Sequence, residues 1–293
     1  MGQAAEPDTA NEHTHAGAPM TVTMPGRDHT GRAGASPRRR PRPAIWWAGW
    51  STTVAGLVAL GMAVTTPPRS GPWCTAGCVA SPYTDAAAYV PRDYLWMYPA
   101  VVLALLFLAL SAAVLATLPP ARRAASGLGL ALATLATGTL VTDYAIQLAV
   151  LQPSLAKGEL EGLGPLSQYN PHGVFIALED VGYAAMALAF VVTGAALGRR
   201  TTLERWVRRV LVGAGAMVLA GLAATAVIYG TDLDYRFEVF AIFVTWLTLI
   251  VLGVPLARLI RRAARVPSAA GRVPRPRPGP PPPPAGTTRP TSR

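Results

Sequence analysis

Six long apolar stretches constrain this chain more than any other feature of its sequence. They run over Ile45–Thr66, Tyr98–Leu118, Gly127–Val150, Gly173–Leu197, Arg209–Tyr229 and Glu238–Ile260. A hydrocarbon core about 30 Å thick requires about 20 helical residues, and each stretch supplies that length. We therefore predict an all-α fold, a six-span transmembrane helical bundle whose surroundings are the lipid bilayer.

Composition leaves little sequence for a separate soluble domain. Hydrophobic residues make up 51% of the 293 residues and are concentrated in the six stretches. The transmembrane domain is predicted over 45–262. Residues 1–44 are polar and without apolar periodicity, and 263–293 are rich in proline and arginine, so both tails are predicted to be disordered.

The net charge of +11 is distributed unevenly between the two predicted sides of the bilayer. The opposite side holds only Arg69, Arg92, Lys157 and Arg236, whereas arginines crowd the tails and the connections after the second and fourth stretches. This asymmetry is typical of the positive-inside rule and predicts that both termini are cytoplasmic. The arginines are then expected to meet lipid phosphate and not nucleic acid. We expect a multi-pass protein of a bacterial inner (plasma) membrane.

Small residues recur every four positions in the fifth and fourth stretches. One such series is Ala216, Ala220 and Ala224, beside Gly213 and Gly221. The other is Ala185, Ala189 and Thr193. Small side chains allow helices to approach closely in lipid, so both series are expected to face neighbouring helices.

Carboxyl groups inside the third and fourth stretches are the best indication of function. Asp143 and Gln147 are four residues apart and share a helix face. Asp143 lies about 10 Å along the helix from the predicted outer boundary, and Glu179 and Asp180 lie at a similar depth. A charged side chain at the bilayer centre costs about 2.5–3.5 kcal/mol on insertion scales, so these groups are expected to avoid lipid. We predict a polar pocket in the outer half of the bundle.

Further polar residues are expected to join this pocket. His172, Glu179 and Tyr183 fall at positions i, i+7 and i+11 and are expected to share one helix face. Arg236, at the start of the sixth stretch, is the expected counter-ion of a buried carboxylate, because a guanidinium can bind a carboxylate through two hydrogen bonds.

Two cysteines lie in the first predicted exoplasmic loop. Cys74 and Cys78 are expected to form a disulfide there, because oxidising conditions outside the cytoplasm permit one. Two thiolates alone make a poor metal site. No metal site, cofactor or catalytic residue is assigned, and the chain is not expected to be an enzyme, although an intramembrane hydrolase is kept as an alternative.

The segment Leu166–Asp180, with Asn170-Pro171-His172-Gly173 at its centre, resembles a segment of uncharacterised bacterial multi-span membrane proteins. Tyr229-Gly230 and Tyr235–Glu238 are similar to the same group. The resemblance covers about 45–262 and implies no activity, but it favours treating His172, Glu179, Asp180 and Arg236 as one site.

Two functions remain open from the sequence. In the first, the acidic residues bind or pass a small cation, a proton or a polar ligand, since carboxyl groups that share a low-dielectric site repel each other and favour proton exchange. In the second, a buried carboxylate–arginine network only fixes helix packing, and the tails recruit protein partners whose identity the sequence does not give.

Overall fold

A computed structural model describes residues 43–265, and this part of the chain is helical with no β-strand. It contains six helices that are long and apolar enough to cross a membrane, as predicted. Their bounds are α1 Pro43–Val64, α2 Met97–Thr117, α3 Pro120–Ile146, α5 Val174–Ala196, α6 Thr202–Tyr229 and α7 Arg236–Arg265. The two predicted disordered tails lie outside the described residues, apart from a few residues at their inner ends, which are helical.

The third helix is longer than the sequence pattern indicates. After Ile146 the chain continues through one π-helical turn, Gln147–Leu151, into the short helix α4, Gln152–Lys157. Gly158 then ends the helix with φ at 76°, a left-handed conformation that glycine adopts without steric cost. The predicted loop of 151–172 therefore begins about two helical turns later than expected.

The helix boundaries follow local chemistry. α2 ends at Thr117, just before Pro119 and Pro120, because a residue that precedes proline avoids the α-helical conformation. α6 begins with a capping box in which the Thr201 hydroxyl accepts from the Glu204 amide and the Glu204 carboxylate accepts from the Thr201 amide. Arg122 donates to the carbonyl of Ala196 at the end of α5, which satisfies one of its terminal acceptors.

The six helices form a closed ring in the order α1, α2, α3, α5, α6, α7, in which each contacts the next and α7 returns to α1. α5 and α7 also contact each other, and they are the most buried of the six. α1 and α7 approach closely at Gly49 and Gly253, where a Cβ atom on either glycine would lie within 2.6 Å of the other's carbonyl oxygen.

The small residues of α6 pack differently from the prediction. Ala216, Ala220 and Ala224 are exposed on the outside of the bundle. The face against α5 is carried by Gly215, where a Cβ atom would collide with the carbonyl oxygen of Ala187. The prediction for Ala216, Ala220 and Ala224 was therefore wrong, because alanine spacing alone does not identify which of two small-residue faces meets a neighbour.

Segments 65–96, 158–173 and 230–235 lie together at one end of the bundle, called here the loop-rich end. They are connected by side-chain hydrogen bonds, from Tyr83 to Asn170 and between Ser70 and Tyr235. Cys74 and Cys78 form a disulfide within the first of these segments. The other end carries the arginines that flank the helices.

Candidate functional site

Four acidic side chains gather inside the bundle near the loop-rich end and are called here the carboxyl cluster: Asp143 of α3, Glu179 and Asp180 of α5, and Glu238 of α7. Glu179 is fully buried, Asp143 and Glu238 are 1% and 7% exposed, and Asp180 is half-buried. The carboxyl groups of Glu179 and Glu238 lie next to each other. Asp143 and Asp180 lie close enough to both to interact electrostatically.

A chain of hydrogen bonds leads from the cluster into the bundle. Tyr144 donates to Glu179 Oε1 at 2.7 Å and pairs with the Tyr183 hydroxyl at 2.7 Å. Trp246 Nε1 donates to Tyr183 at 3.0 Å. Because Tyr144 has one hydroxyl proton and gives it to Glu179, Tyr183 must donate to Tyr144. The chain therefore runs in one direction, from the indole N–H to the carboxyl group, and links α7, α5 and α3.

Arg236 does not pair with the carboxyl cluster, so the predicted counter-ion role is wrong. Its guanidinium binds Asp234 at 2.7 Å and lies over the ring of Tyr229 at 4.2 Å. Arg236 is the first residue of α7, and its side chain meets the loop before the helix instead of the bundle interior. Within 43–265 the other ion pair joins Arg69 to Asp93, which leaves the carboxyl cluster without a basic partner.

Each member of the cluster keeps one buried oxygen that meets no donor among the described residues. These atoms are Asp143 Oδ2, Glu179 Oε2, Asp180 Oδ1 and Glu238 Oε2. An unpaired buried acceptor is costly, and two facing carboxyl groups can hydrogen-bond only if one of them carries a proton. No group of three or more His, Cys, Asp or Glu side chains within 43–265 has the arrangement of a metal site. The cluster is thus suited to protons or to a weakly held small cation.

The remaining predicted residues divide between the cluster and its surroundings. Tyr183 joins the hydrogen-bond chain. Gln147 is buried, but its amide nitrogen donates to the carbonyl of Leu166 at 2.6 Å and holds the loop before α5. His172 is exposed and lies before α5 begins at Val174, so the predicted shared face with Glu179 does not exist. The structure thus brings together Asp143, Glu179, Asp180 and Tyr183 and leaves His172 and Arg236 outside.

A cavity of about 360 Å³ adjoins the cluster at the loop-rich end. Glu238 lines it, together with the ends of α1 and α7 and the segments 66–73 and 168–169. Most of its wall is apolar, and its aromatic residues are Trp73, Trp96, Tyr169, Phe175, Tyr235 and Phe243. Volume and composition match small-molecule sites, which are apolar pockets of about 300–1,000 Å³ with a few polar groups.

The polar part of this cavity centres on Asp93, which is 1% exposed. Its Oδ2 atom accepts from Arg69 Nε and from the Tyr169 hydroxyl, each at 3.1 Å, whereas its Oδ1 atom has no donor among the described residues. Burial raises the pKa of the Tyr169 hydroxyl, and the nearby Asp93 carboxylate raises it further. Tyr169 therefore stays protonated and keeps donating at neutral pH.

Sequence reasoning missed three parts of this arrangement. Glu238 begins the sixth predicted stretch but was not assigned to the polar pocket, although it is buried. Asp93 was overlooked because its segment reads as an exposed loop. Trp246 carries no polar signal in an apolar helix.

Comparison with known proteins found no matching family model, no similar curated protein and no similar solved structure. The resemblance of Leu166–Asp180 to uncharacterised bacterial membrane proteins therefore stays a prediction, and the function has to be argued from the site.

Proposed function

We propose that this chain is an integral membrane protein that binds a proton, or a small cation in its place, at the carboxyl cluster in the outer half of the bilayer. The supporting observation is that Asp143, Glu179 and Glu238 are buried together on three spans with no basic partner within 43–265. The proposal includes the predicted orientation, with the loop-rich end outside and both termini cytoplasmic in a plasma membrane.

The electrostatics of the cluster support a bound positive charge. Ionised carboxylates in a low-dielectric interior repel each other, and each also loses its hydration. Either a proton shared between Glu179 and Glu238 or a cation among the free oxygens offsets both costs. Glu238 also lines the cavity, so a proton or cation from the outer side reaches the cluster through it.

The hydrogen-bond chain favours binding over passage across the membrane. It ends at Trp246, whose indole nitrogen is only a donor and cannot relay a proton further. Beyond it, towards the arginine-rich end, α2, α5 and α7 enclose a cavity of about 20 Å³ lined mainly by apolar residues such as Phe107, Phe190 and Leu249. Within the described part of the chain, polar groups therefore line a route from the loop-rich end to the cluster but not from the cluster to the arginine-rich end.

Infrared difference spectroscopy of the purified protein tests proton binding directly. During a pH jump, wild type should show the carbonyl-stretch band of a protonated carboxylic acid, and Glu179→Gln should lose or shift it. Glu159→Gln is the matched control, since Glu159 is exposed in a loop. A spectrum that Glu179→Gln leaves unchanged would rule out proton binding at Glu179.

Equilibrium binding of radioactive sodium to the purified protein tests whether a cation takes the proton's place. Wild-type protein should bind sodium in competition with protons, and Glu179→Gln should abolish this binding while its oligomeric state and folding stay unchanged. If neither sodium binding nor the infrared band depends on Glu179, the proposed function fails.

A structural role is the second candidate, and one observation favours it. The bonds Trp246–Tyr183–Tyr144–Glu179 connect α7, α5 and α3 within the bundle. On this view the Glu179 carboxyl group acts only as the acceptor at the end of this series of hydrogen bonds. Glutamine at 179 preserves that acceptor, so a purely structural site would tolerate Glu179→Gln with no change in cation or proton binding.

A further inference from the structure

We infer that the cavity beside Asp93 and Glu238 is a lateral binding site for an amphiphile with an alkylammonium head, which enters from the lipid between α1 and α7. This site goes beyond the proposed function. It shares Glu238 with the carboxyl cluster, but it depends on Asp93 and on the cavity and not on proton binding at Glu179.

The cavity lies at the loop-rich ends of α1 and α7. Towards the arginine-rich end the two helices touch at Gly49 and Gly253, and one turn later Thr53 donates to the carbonyl of Ile250 at 2.9 Å. Nearer the loop-rich end, Leu60 of α1 and Ile242 of α7 both line the cavity. The two helices thus pack closely at one end and line the cavity at the other, an arrangement called here the wedge.

The mouth of this wedge faces the surroundings of the bundle and is apolar. Val64, Val239 and Phe243 line the cavity and are 70%, 47% and 51% exposed. All three belong to transmembrane helices, so their exposed surfaces meet acyl chains in a bilayer. A hydrocarbon chain can lie in such a mouth with its contacts to lipid replaced by contacts to the protein.

The polar end of the cavity requires a ligand that donates hydrogen bonds. Asp93 Oδ1 and Glu238 Oε2 are both buried acceptors without a donor among the described residues, and both side chains line the cavity. A head group that binds to them must supply N–H or O–H groups. An ammonium group offers three donors and a positive charge, which would offset the two carboxylates, of which only Asp93 pairs with an arginine within 43–265.

The aromatic lining favours the same head group. Trp73, Trp96 and Phe175 line the same cavity as the two carboxylates. Ring faces attract alkylammonium groups by about 0.5–2 kcal/mol, more strongly where water is excluded. An anionic head group would meet Asp93 and Glu238 instead, and a neutral chain without donors would leave both acceptors unpaired.

Electron paramagnetic resonance with a chain-labelled dodecylammonium probe tests the site in nanodiscs of phosphatidylglycerol. Wild-type protein should immobilise a fraction of the probe. Ethylammonium should not compete, since it lacks the chain, and dodecyl sulfate should not compete, since it lacks the donor. Phosphatidylethanolamine added to the nanodisc shows the source of the head group. If it competes with the labelled probe, the ligand is a phospholipid. If it does not compete, the ligand is a free amphiphilic amine.

Two variants test the polar and the apolar parts separately. Asp93→Asn should weaken binding of the probe about tenfold or more, the usual effect of losing a charge-assisted hydrogen bond. Ala63→Trp should block the mouth, because Ala63 lines the cavity at the end of α1. Leu135→Trp is its control, since Leu135 is 53% exposed on α3 away from the cavity.

The inference is overturned if Asp93→Asn and Ala63→Trp both bind the probe like wild type, or if ethylammonium competes as well as the long-chain probe. Should Asp93→Asn fail to fold, Ala63→Trp alone decides. Glu179→Gln separates this inference from the proposed function, because it should lose the infrared band and still immobilise the probe.

Discussion

Replacing Glu179 by glutamine tests the interpretation of the carboxyl cluster through protein stability. The glutamine side chain keeps an oxygen that accepts from Tyr144, as Glu179 Oε1 does at 2.7 Å. Its amide adds a donor beside Glu238, whose Oε2 meets no donor among the described residues. The substitution also removes one charge from a site that has no basic partner within 43–265.

The expected magnitude follows from these contacts. One neutral hydrogen bond contributes about 0.5–1.5 kcal/mol, and interhelical bonds in membranes average about 0.6 kcal/mol. Glu179→Gln should therefore leave the unfolding free energy unchanged or raise it by up to about 1 kcal/mol. Tyr144→Phe should lower it by about 1–2 kcal/mol, because it removes the donor to Glu179 and the partner of Tyr183.

Reversible unfolding by dodecyl sulfate in mixed micelles, followed by circular dichroism, measures both changes on one scale. The double variant Tyr144→Phe/Glu179→Gln gives the coupling between the two side chains. A loss of more than about 1 kcal/mol in Glu179→Gln would refute the reasoning, because it would mean that the ionised carboxylate is stabilised by a positive group that the present site lacks.

Three further predictions concern the packing around the site. Arg69→Ala should destabilise the protein by about 3–5 kcal/mol, since it leaves the buried Asp93 carboxylate without its ion-pair partner. Arg92→Ala, on the exposed surface, is the control in the same unfolding assay. Gly253→Ala should lower the unfolding free energy by about 1–3 kcal/mol, because its Cβ atom would lie 2.5 Å from the Gly49 carbonyl oxygen. Gly138→Ala, with open space around it, should not destabilise the protein. Equal effects of the two substitutions would contradict the close packing of α1 on α7. In weakly buffered solution, binding of dodecylammonium to the wild-type protein should release protons, because the ammonium group at Glu238 replaces a proton of the carboxyl cluster. A pH-sensitive dye measures this release, and Glu238→Gln should abolish it.

The sequence was sufficient to predict the six helices because membrane insertion is governed by length and apolar composition, which are local properties. α1, α2 and α5 begin and end within two residues of the predicted stretches. The fit is poorer where amphipathic segments extend a helix beyond the bilayer. Thus α6 begins seven residues early at its capping box, and α3 continues into α4.

The site was predictable only in part. Asp143, Glu179 and Asp180 could be placed at one depth, because helical rise fixes depth along the chain. Their partners could not be predicted, since a counter-ion depends on where a side chain at a helix end turns. Arg236 turns to Asp234 in the loop, whereas Glu238, two residues later, turns inward to Glu179.

What the sequence by itself determined is therefore the number of long apolar helices, the bounds of α1, α2 and α5 to within two residues, and the presence of acidic groups within the helices. Each of these follows from residues next to one another in the chain. Only the tertiary structure decided which carboxyl groups meet, that Tyr144 and Trp246 complete their hydrogen bonds, and that a cavity opens between α1 and α7. These features arise from contacts between helices, and the rotation of each helix about its own axis is fixed by close packing at residues such as Gly215 and Gly253.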